Sequence, residues 1–500
     1  MDLSTLTMKD MATVFLVYWV IWFLFGIVIK RFSSKDLPLP PGPYPWPIFG
    51  NLFQIKNNLL HVSLAEMAQV HGPLMSLRLG QQILIVGSTS NVALEILKTR
   101  DDVLSGRDVS RFIKGEQPNA HNKNLSFTSD CDDRWRLFRN IYRSEIFSNT
   151  ALEIRTNIRE SKVKDMMEYL GSKVDEVIAI RDVAFTTSVN VLGNVCLSID
   201  LLDYEGNGIG DNLRESLGKL DLLGSKPLLA NMYPILGQWD IPGWYKQVMH
   251  ITEQELGSIW KDSIQMKRDK GNVFSSLQDF ADTLIHKGFT NQQINPLIQE
   301  LFAAGTESTT LTIEWMIVEL LRNQEAMQKA KDEVRKHINR KVVKESDLVH
   351  LPFMEACYKE TLRLHPSGPL LIPHKAIEAC ELMGYTIPKD SLILVNIWAI
   401  NRDPNFWDDP LRFKPERFVG SKLSYLGNDF DYLPFGSGRR MCPGLALASK
   451  IVLLTIVSLI QNFDWFLPNN MNPDDINMDE EVHVAMHKKE RLLISLKFRD

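Results

Sequence analysis

FGSGRRMCPG, residues 435–444, places a single cysteine, Cys442, in a loop rich in glycine. Gly436, Gly438 and Gly444 let the backbone approach its surroundings where a β-carbon would collide. Loops of this kind hold a side chain against a neighbouring group at short range. The stretch therefore predicts that Cys442 is held in place for a specific partner.

Pro443 follows Cys442 directly and precedes the apolar run LALASKIVLLTIVSLIQNF. Proline is common in the first turn of a helix, so we expect Cys442 at or just before the N-terminus of a long helix. The unpaired N–H groups and the positive end of the helix dipole would favour the thiolate over the thiol there. Such a thiolate is a candidate axial ligand of heme iron, and the alternative is an ordinary buried cysteine beside a turn.

The pattern F-x-x-G-x-R-x-C-x-G resembles the cytochrome P450 family, with Phe435, Gly438, Arg440, Cys442 and Gly444 at its defined positions. The resemblance implies a mainly α heme-thiolate fold with a small β-sheet region, and heme b with Cys442 as the iron ligand. Phe435, Arg440 and Gly444 are then expected at the heme. It also implies that NADPH–cytochrome P450 reductase supplies electrons for the oxidation of a small organic substrate by dioxygen.

Size and charge narrow the class of protein further. Five hundred residues with 44% hydrophobic content can form a large core. The formal net charge of −5 makes nucleic acid an unexpected partner. The five cysteines show no C-x-x-C spacing, which argues against a disulfide scaffold or a zinc–cysteine cluster and suits a reducing compartment.

An uncharged segment, residues 11–29, is followed directly by Lys30 and Arg31. Its length suits a helix that spans a bilayer, and the basic pair marks the cytosolic side. A cleaved signal peptide is the alternative, but bulky Trp22 and Phe23 close to the basic pair disfavour it. The sequence therefore predicts one N-terminal transmembrane helix.

We expect a membrane anchor over residues 1–31, a proline-rich hinge over 32–51 and a heme-thiolate catalytic domain over 52–500. The hinge segment LPLPPGPYPWPIFGN contains six prolines in fifteen residues, which excludes a helix and makes the segment stiff. The resemblance to microsomal members of the family implies the endoplasmic reticulum membrane, with lipid contact at the anchor and the catalytic domain in the cytosol.

The catalytic domain is predicted to be mainly helical, with a β-hairpin over 76–88 and a strand over 392–396. A long helix is predicted to begin after Thr290, where Gln293 completes a capping box, and to reach about Asn323.

The segment AAGTESTT, residues 303–310, brings polar groups into the middle of this apolar helix. It is similar to the oxygen-activation segment of the family. The resemblance implies that Gly305 leaves room over the iron and that Glu307 relays protons. It also implies that Ser308 contributes the hydroxyl group at a position where the family usually has threonine. Serine keeps the donor and acceptor but lacks the methyl group that restricts the rotamer.

The segment DRWRLFRNIYR, residues 133–143, predicts a helix with an arginine stripe. Its W-R-x-x-R pattern is similar to a family motif, which implies that Trp135 and Arg139 contact a heme propionate. Arg136 and Arg143 are expected to form a solvated basic face, with docking of an acidic reductase as the functional interpretation. His374, directly after Pro373 (LLIPHK), is expected at a propionate by the same resemblance, and an ordinary histidine is the alternative.

Glu360 and Arg363 have E-x-x-R spacing, and Arg417 follows in the segment PERF. A pair at i and i+3 is often an exposed ion pair that contributes little to stability. The resemblance instead implies a buried structural ion-pair network of all three residues behind the heme loop.

The proline-rich hinge and the segments AGTES, PERF and FGSGRRMCPG resemble plant microsomal members of the family, near those that act on monoterpenoids and on benzylisoquinoline or tropane alkaloids. The resemblance therefore implies a heme-thiolate monooxygenase that oxidises a small apolar or alkaloid-like plant secondary metabolite. Because of Ser308, a second hypothesis is oxidation without oxygen insertion, such as phenol coupling or rearrangement. A third is a membrane-tethered heme protein that binds a ligand without turnover. Glu307 and a hydroxyl at 308 argue against the third, since neither is needed merely to bind heme.

Overall fold

The computed structural model describes residues 37–56, 59–108, 124–206, 208, 210, 212–226, 232–233, 243–269 and 278–499. The predicted transmembrane helix and the start of the predicted hinge lie outside these residues. The described part of the hinge has no helix before Leu52 and makes a turn at residues 47–49. It packs on the sheet, because Pro41 O accepts a hydrogen bond from Ser76 N at 2.8 Å.

The described chain is mainly helical, as predicted from the sequence. The α-helices are α1 Leu60–His71, α2 Ser90–Leu94, α3 Asp101–Leu104, α4 Asp133–Tyr142, α5 Asn149–Ile154, α6 Thr156–Ser172, α7 Ile180–Leu197, α8 Leu213–Gly224, α9 Trp244–His250, α10 Gly257–Asp269, α11 Phe280–His286, α12 Asn291–Gly305, α13 Glu307–Arg322, α14 Gln324–His337, α15 Pro352–Leu364, α16 Ile397–Ile400 and α17 Leu445–Asn462. Short π-helical turns continue α2, α4 and α9 (Glu95–Thr99, Arg143–Phe147 and Ile251–Leu256).

The β-strands are short and form small sheets. They are β1 Leu74–Leu79, β2 Gln82–Gly87, β3 Val177–Ala179, β4 His374–Lys375, β5 Cys380–Leu382, β6 Tyr385–Ile387, β7 Leu392–Val395, β8 Phe463–Phe466, β9 Glu480–Val482, β10 Met486–Lys488 and β11 Leu493–Phe498. The four-stranded sheet has the order β1-β2-β7-β4, and a three-stranded sheet has the order β3-β11-β8. The antiparallel β1–β2 pair and strand β7 confirm the predicted hairpin and strand.

Helix α17 lies in the largest hydrophobic core cluster, together with residues of α6, α13 and α15. It is the only helix of the described residues with the length and hydropathy of a membrane span, and 61% of it is buried inside the protein. Its apolar side chains therefore pack against protein, which identifies α17 as a core helix. Because the loop with Cys442 ends directly in α17, the core holds that loop in place.

The predicted long helix is two helices, α12 and α13, separated at Thr306. Its beginning is as predicted, since Gln293 Oε1 accepts the Thr290 N–H at 2.9 Å. The division follows from the polar segment that the sequence places there, because glycine and hydroxyl side chains weaken a helix interior. As a result, Glu307 and Ser308 occupy a new first turn rather than the middle of a continuous helix.

Candidate heme site

Cys442 lies in a turn ahead of α17, whose first residue is Leu445. The Cys442 N–H donates to the carbonyl of Phe435 at 3.0 Å, which closes the loop, and the N–H groups of Gly444 and Leu445 donate to the thiol. Pro443 precedes the helix instead of forming its first turn, so this detail of the prediction is wrong. The helix N-terminus nevertheless supplies the two N–H groups that face the sulfur.

Burial raises the pKa of the Cys442 thiol above its usual value. The N–H groups of Gly444 and Leu445 and the charge of Arg139 act in the opposite direction but are outweighed. The expectation that the loop alone favours the thiolate is therefore wrong. A bound metal cation deprotonates a coordinating thiol outright, because it compensates the buried negative charge.

The three glycines of the loop differ in backbone conformation and in the space that a β-carbon would have. Gly438 has a φ of +70°, and a β-carbon there would stand 1.9 Å from Leu97 O. Gly436 also has a φ of +70°, which disfavours any other residue. Gly444 has an ordinary φ of −84°, and its nearest contact would be Phe147 at 3.6 Å, so the protein atoms alone do not require glycine there.

Arg440 is close to Cys442 in sequence, contacts Trp135 and belongs to a group of positively charged side chains. Arg440 lies over the Trp135 ring, 5.3 Å from its centroid. The arginine donates to the backbone carbonyls of Ser105, Leu125 and Thr128 at 3.0, 3.0 and 2.7 Å. The Trp135 ring N–H is buried and has no partner among the described residues. An unpaired buried donor costs free energy, so this N–H is available to an acceptor of a bound group.

Two more arginines complete this group, and the sequence did not single out one of them. Arg139, on α4, donates to the Met441 carbonyl at 2.7 Å and so ties that helix to the Cys442 loop. Arg107 is buried and donates to the carbonyls of Ile372 and Pro373 at 2.7 and 2.9 Å. Arg107 lies outside any motif quoted above, so only the folded chain identifies it.

His374 is buried beside the same arginines. Its Nδ1 contacts the carbonyl of Leu104 at 2.9 Å, and burial, followed by the charge of Arg107, lowers its pKa well below the usual value. The imidazole is therefore neutral, with Nδ1 as the donor to Leu104 and Nε2 as an acceptor. Direct donation from His374 to a propionate requires its protonation, which a bound anion would favour.

Arg107, Arg139 and Arg440 form a cluster of positive charge, called here the cationic cluster, in which Arg107 is buried and the other two are half-buried. Burial lowers the pKa of all three, that of Arg107 to about 9, and Arg440 lowers those of the other two further. Their described hydrogen bonds go mainly to backbone carbonyls rather than to carboxylates. Such a cluster beside the half-buried Cys442 fits heme, whose propionates would supply the negative charge.

Glu307 and Ser308 form the first turn of α13. The Thr306 hydroxyl donates to Phe302 O and the Ser308 hydroxyl to Ala304 O, both at 2.7 Å. These bonds offer the carbonyls of α12 a side-chain partner at the break between the helices. Both hydroxyls therefore point back along α12.

Burial raises the pKa of Glu307, and no side-chain hydrogen bond of Glu307 occurs among the described residues. Smaller effects come from the charges of His487, Asp221, Arg181 and Arg214, which partly cancel. A carboxyl with a raised pKa keeps its proton closer to neutral pH and can donate it. The electrostatics of Glu307 therefore suit a proton donor.

Gly305 faces a neighbouring helix. A β-carbon there would lie 3.1 Å from the Leu192 side chain of α7, so the missing side chain permits close packing of α12 on α7. Ala303 and Ala304 are exposed although Phe302 is buried, which shows open space along this face of α12. Ala303 and Ala304 are thus the most exposed small residues here, Gly305 is half-buried, and its role over the iron stays a prediction.

Glu360, Arg363 and Arg417 lie together in a second buried cluster, called here the paired network. Glu360 accepts from Arg363 Nε at 2.7 Å and from Arg417 Nε at 3.0 Å. Arg363 also donates to the carbonyls of Asn401 and Pro410, both at 2.7 Å. Both Glu360 and Arg363 are fully buried.

Comparisons with known proteins agree with this geometry. A family model described as cytochrome P450 matches residues 40–494. The chain is 44% identical to a probable (S)-N-methylcoclaurine 3'-hydroxylase isozyme 2 of Coptis japonica, over 95% of this chain and 96% of that protein. It is 40% identical to the corytuberine synthase of Coptis japonica, over 92% of this chain and 94% of that one.

The fold also matches that of a solved structure, a zebrafish cytochrome P450 with abiraterone, with a TM-score of 0.72. The match covers 89% of this chain and 100% of the zebrafish chain, at 22% sequence identity. This similarity concerns the fold alone.

Proposed function

Because the chain belongs to the cytochrome P450 family, we propose that it is a monooxygenase of alkaloid-like plant metabolites in which Cys442 is the axial ligand of heme iron. Family membership itself makes heme the cofactor and monooxygenation the reaction class. The assignments of individual residues and of the substrate are the proposal.

The site assignment is based on the cationic cluster beside the half-buried Cys442. In this assignment Trp135, Arg139, Arg440 and Arg107 pair with the heme propionates, and a protonated His374 joins them. The carbonyl of Phe435 accepts the Cys442 N–H, and Gly436, Gly438 and Gly444 complete the loop. Gly444 leaves space beside the sulfur for the macrocycle.

Heme, when bound, supplies the iron at which dioxygen is reduced by two electrons. The overall reaction is RH + O₂ + 2e⁻ + 2H⁺ → ROH + H₂O, so two protons must reach the oxygen. Glu307 donates a proton from its carboxyl group, which its raised pKa favours. Ser308 passes the proton on after its hydroxyl releases Ala304 O.

The substrate class rests on the curated relatives. A protein 44% identical over nearly its whole length has a name that describes 3'-hydroxylation of (S)-N-methylcoclaurine. We therefore propose a benzylisoquinoline-type substrate, bound along the open face of α12 at Ala303 and Ala304. The expected reaction is hydroxylation of an aromatic ring.

Turnover of (S)-N-methylcoclaurine by the full-length protein with NADPH and reductase tests this proposal. Under heavy-isotope dioxygen, the product should gain one heavy oxygen atom, as read by mass spectrometry. Cys442→Ala should lose both the product and the red-shifted carbon monoxide difference band of the reduced protein. A product without a heavy oxygen atom would contradict the proposed reaction. A normal carbon monoxide difference band without product from any benzylisoquinoline would contradict the proposed substrate class.

A second candidate reaction is oxidation without insertion, which Ser308 favours. Here the substrate loses two hydrogen atoms: RH₂ + O₂ + 2e⁻ + 2H⁺ → R + 2H₂O, where R carries a new C–C or C–O bond. Serine lacks the methyl group of threonine, so its hydroxyl turns more freely between Ala304 O and the oxygen site. In the same assay, a product that lacks two hydrogens and contains no heavy oxygen would favour this reaction.

For the cellular setting we propose residues 1–31 as an anchor in the endoplasmic reticulum membrane, 32–51 as the hinge and 52–500 as the cytosolic catalytic domain. Membrane lipid then contacts the anchor. Fractionation of cells that express the full chain, with and without residues 1–31, tests this assignment. Recovery of both forms in the soluble fraction would contradict it.

NADPH–cytochrome P450 reductase is the proposed electron donor, and Arg136 and Arg143 are the proposed docking residues. Both are exposed on the α4 side of the molecule, although Arg136 is paired with Asp133 at 2.7 Å. Arg143→Glu should raise the reductase concentration needed for half-maximal turnover, most strongly at low salt, because exposed charges are screened. The exposed Arg340→Glu change is the control, since Arg340 lies on another element and pairs with Asp347.

A further inference from the structure

Two imidazoles and one carboxylate meet where the β9–β10 hairpin contacts α8. His483 lies in the turn of the hairpin, His487 on β10 and Asp221 on α8. Asp221 Oδ2 is 2.8 Å from His487 Nε2 and 3.3 Å from His483 Nδ1, and the two rings are 4.5 Å apart at their centroids. None of the three residues belongs to the heme assignment.

These side chains offer a donor set that suits a divalent transition-metal ion. One ligand atom from each residue lies within 4.8 Å of the others. In a tetrahedral zinc site with bonds of about 2.0–2.2 Å, neighbouring ligand atoms are about 3.3 Å apart. The distance of 3.3 Å from Asp221 to His483 already has this value. The distance of 2.8 Å from Asp221 to His487 is shorter, so His487 must move away from the carboxylate to make room for an ion. Two imidazole nitrogens favour Zn²⁺ over Mg²⁺ or Ca²⁺, which prefer oxygen ligands.

The surroundings hold the three donors in place. Asp221 uses its other oxygen, Oδ1, to accept the Ala485 N–H at 3.0 Å, so Oδ2 is oriented toward the histidines. The Asp221 carbonyl accepts the Val484 N–H at 3.3 Å. On the far side, His483 Nε2 is 3.7 Å from Glu481 Oε1. A carboxylate behind a ligating imidazole is a common way in which proteins orient it and increase its basicity.

We propose that Asp221, His483 and His487 form a zinc site with an open fourth position for water. The side chains are 11, 18 and 12% exposed, so an ion can enter but is partly shielded once bound. Because the ligands come from α8 and from the hairpin, the ion would crosslink these two elements. The competing interpretation is that Asp221 only pairs with the two histidines, as an acceptor, and that no metal ion binds.

Zinc retention by the full-length holoprotein tests the site. The protein is stripped with a chelator, loaded with Zn²⁺, passed through a desalting column and analysed for zinc and iron by mass spectrometry. Wild type should retain about one zinc per heme, since chelation by three side chains slows dissociation. Asp221→Asn and His487→Ala should retain little. Zinc should also raise the unfolding temperature of wild type, but not that of Asp221→Asn or His487→Ala.

His250→Ala is the matched control, because His250 pairs with Glu255 at 3.3 Å but has no third ligand in the described chain. It should retain zinc as wild type does. Every variant is first checked for its carbon monoxide difference band, which reports a folded heme site.

His483→Cys separates the two interpretations. A thiolate can ligate zinc but cannot form a cationic pair with Asp221, so zinc retention by this variant supports a metal site. The inference is overturned if folded wild type retains no more zinc than folded Asp221→Asn. It is also overturned if zinc fails to raise the wild-type unfolding temperature.

Discussion

The paired network and the cationic cluster both bury arginine, but they compensate the charge differently. In the paired network, one carboxylate, that of Glu360, accepts hydrogen bonds from Arg363 and Arg417. In the cationic cluster, the hydrogen bonds of the arginines go mainly to neutral carbonyls, and their pKa values are lowered. A buried charge needs a partner of opposite sign. The first cluster therefore contains a carboxylate from the chain itself, whereas the arginines of the second hydrogen-bond no carboxylate of the described residues, and the proposed heme propionates would supply that charge.

The largest effect is expected when the paired network loses its carboxylate. Glu360→Gln leaves two buried guanidinium groups uncompensated and should lower the free energy of unfolding by about 3–5 kcal/mol. Urea unfolding of the holoprotein measures it. Glu416→Gln is the control, because Glu416 forms an exposed pair with Lys329 and should cost less than about 1 kcal/mol. Equal losses in both variants would contradict the distinction between the two pairs.

A change in the cationic cluster should affect heme binding more than folding. Under the proposed assignment, Arg107→Ala removes a charged donor to a propionate, worth about 1.5–3 kcal/mol, and should speed heme release roughly 10- to 100-fold. Transfer of heme to an apomyoglobin acceptor measures the rate. The apoprotein should be less affected, because the substitution also relieves repulsion with Arg440. A loss of stability as large in the apoprotein as in the holoprotein would assign Arg107 to the fold alone.

A smaller effect on heme release is expected from the neutral donor beside the cluster. Trp135→Phe removes the unpaired ring N–H and should speed heme release by roughly fivefold, or about 1 kcal/mol. Trp260→Phe is the matched control, because the Trp260 ring N–H is also buried without a partner but packs on Phe302. Equal release rates for the two variants would contradict a propionate contact at Trp135.

The smallest expected effect extends the comparison to the half-buried carboxyl of Glu307, which has no cationic hydrogen-bond partner in the part of the chain that the structure describes. The pKa of Glu307 is raised in the folded protein, so its contribution to stability is fully present below the usual glutamate pKa. That contribution is lost as pH rises through the raised pKa. Urea unfolding between acidic and neutral pH should therefore show Glu307→Gln gaining stability relative to wild type as pH rises, and exposed Asp133→Asn should show no such trend.

The same titration gives a prediction for turnover. Product formed per NADPH should fall as pH rises through the pKa of Glu307, because the deprotonated carboxylate cannot donate. Glu307→Gln should have low product yield without this pH dependence. An unchanged pH profile in that variant would assign proton delivery to another group.

Local patterns in the sequence were sufficient where neighbouring residues decide the structure. The capping box at Thr290, the hairpin of β1 and β2 and the apolar helix after Cys442 all follow from spacing and side-chain chemistry. The family was also recognisable from a ten-residue loop, because its glycines and cysteine have few alternative uses.

Other features depend on contacts between distant parts of the chain. Arg107 meets the carbonyl of Pro373, and Gly305 packs against Leu192, although nothing in either local sequence indicates it. The break at Thr306 reflects competition between side-chain and backbone hydrogen bonds, which helical periodicity does not reveal.

The sequence by itself therefore determined the family, the cysteine expected at the iron and the mainly helical architecture, because short-range spacing carries those properties. Only the tertiary structure decided which buried charges are neutralised within the chain. Burial and the distance between opposite charges set that balance, and both arise from the packing of elements far apart in sequence. The same packing brings Asp221 to His483 and His487, residues whose separation along the chain gives no sign of a common site.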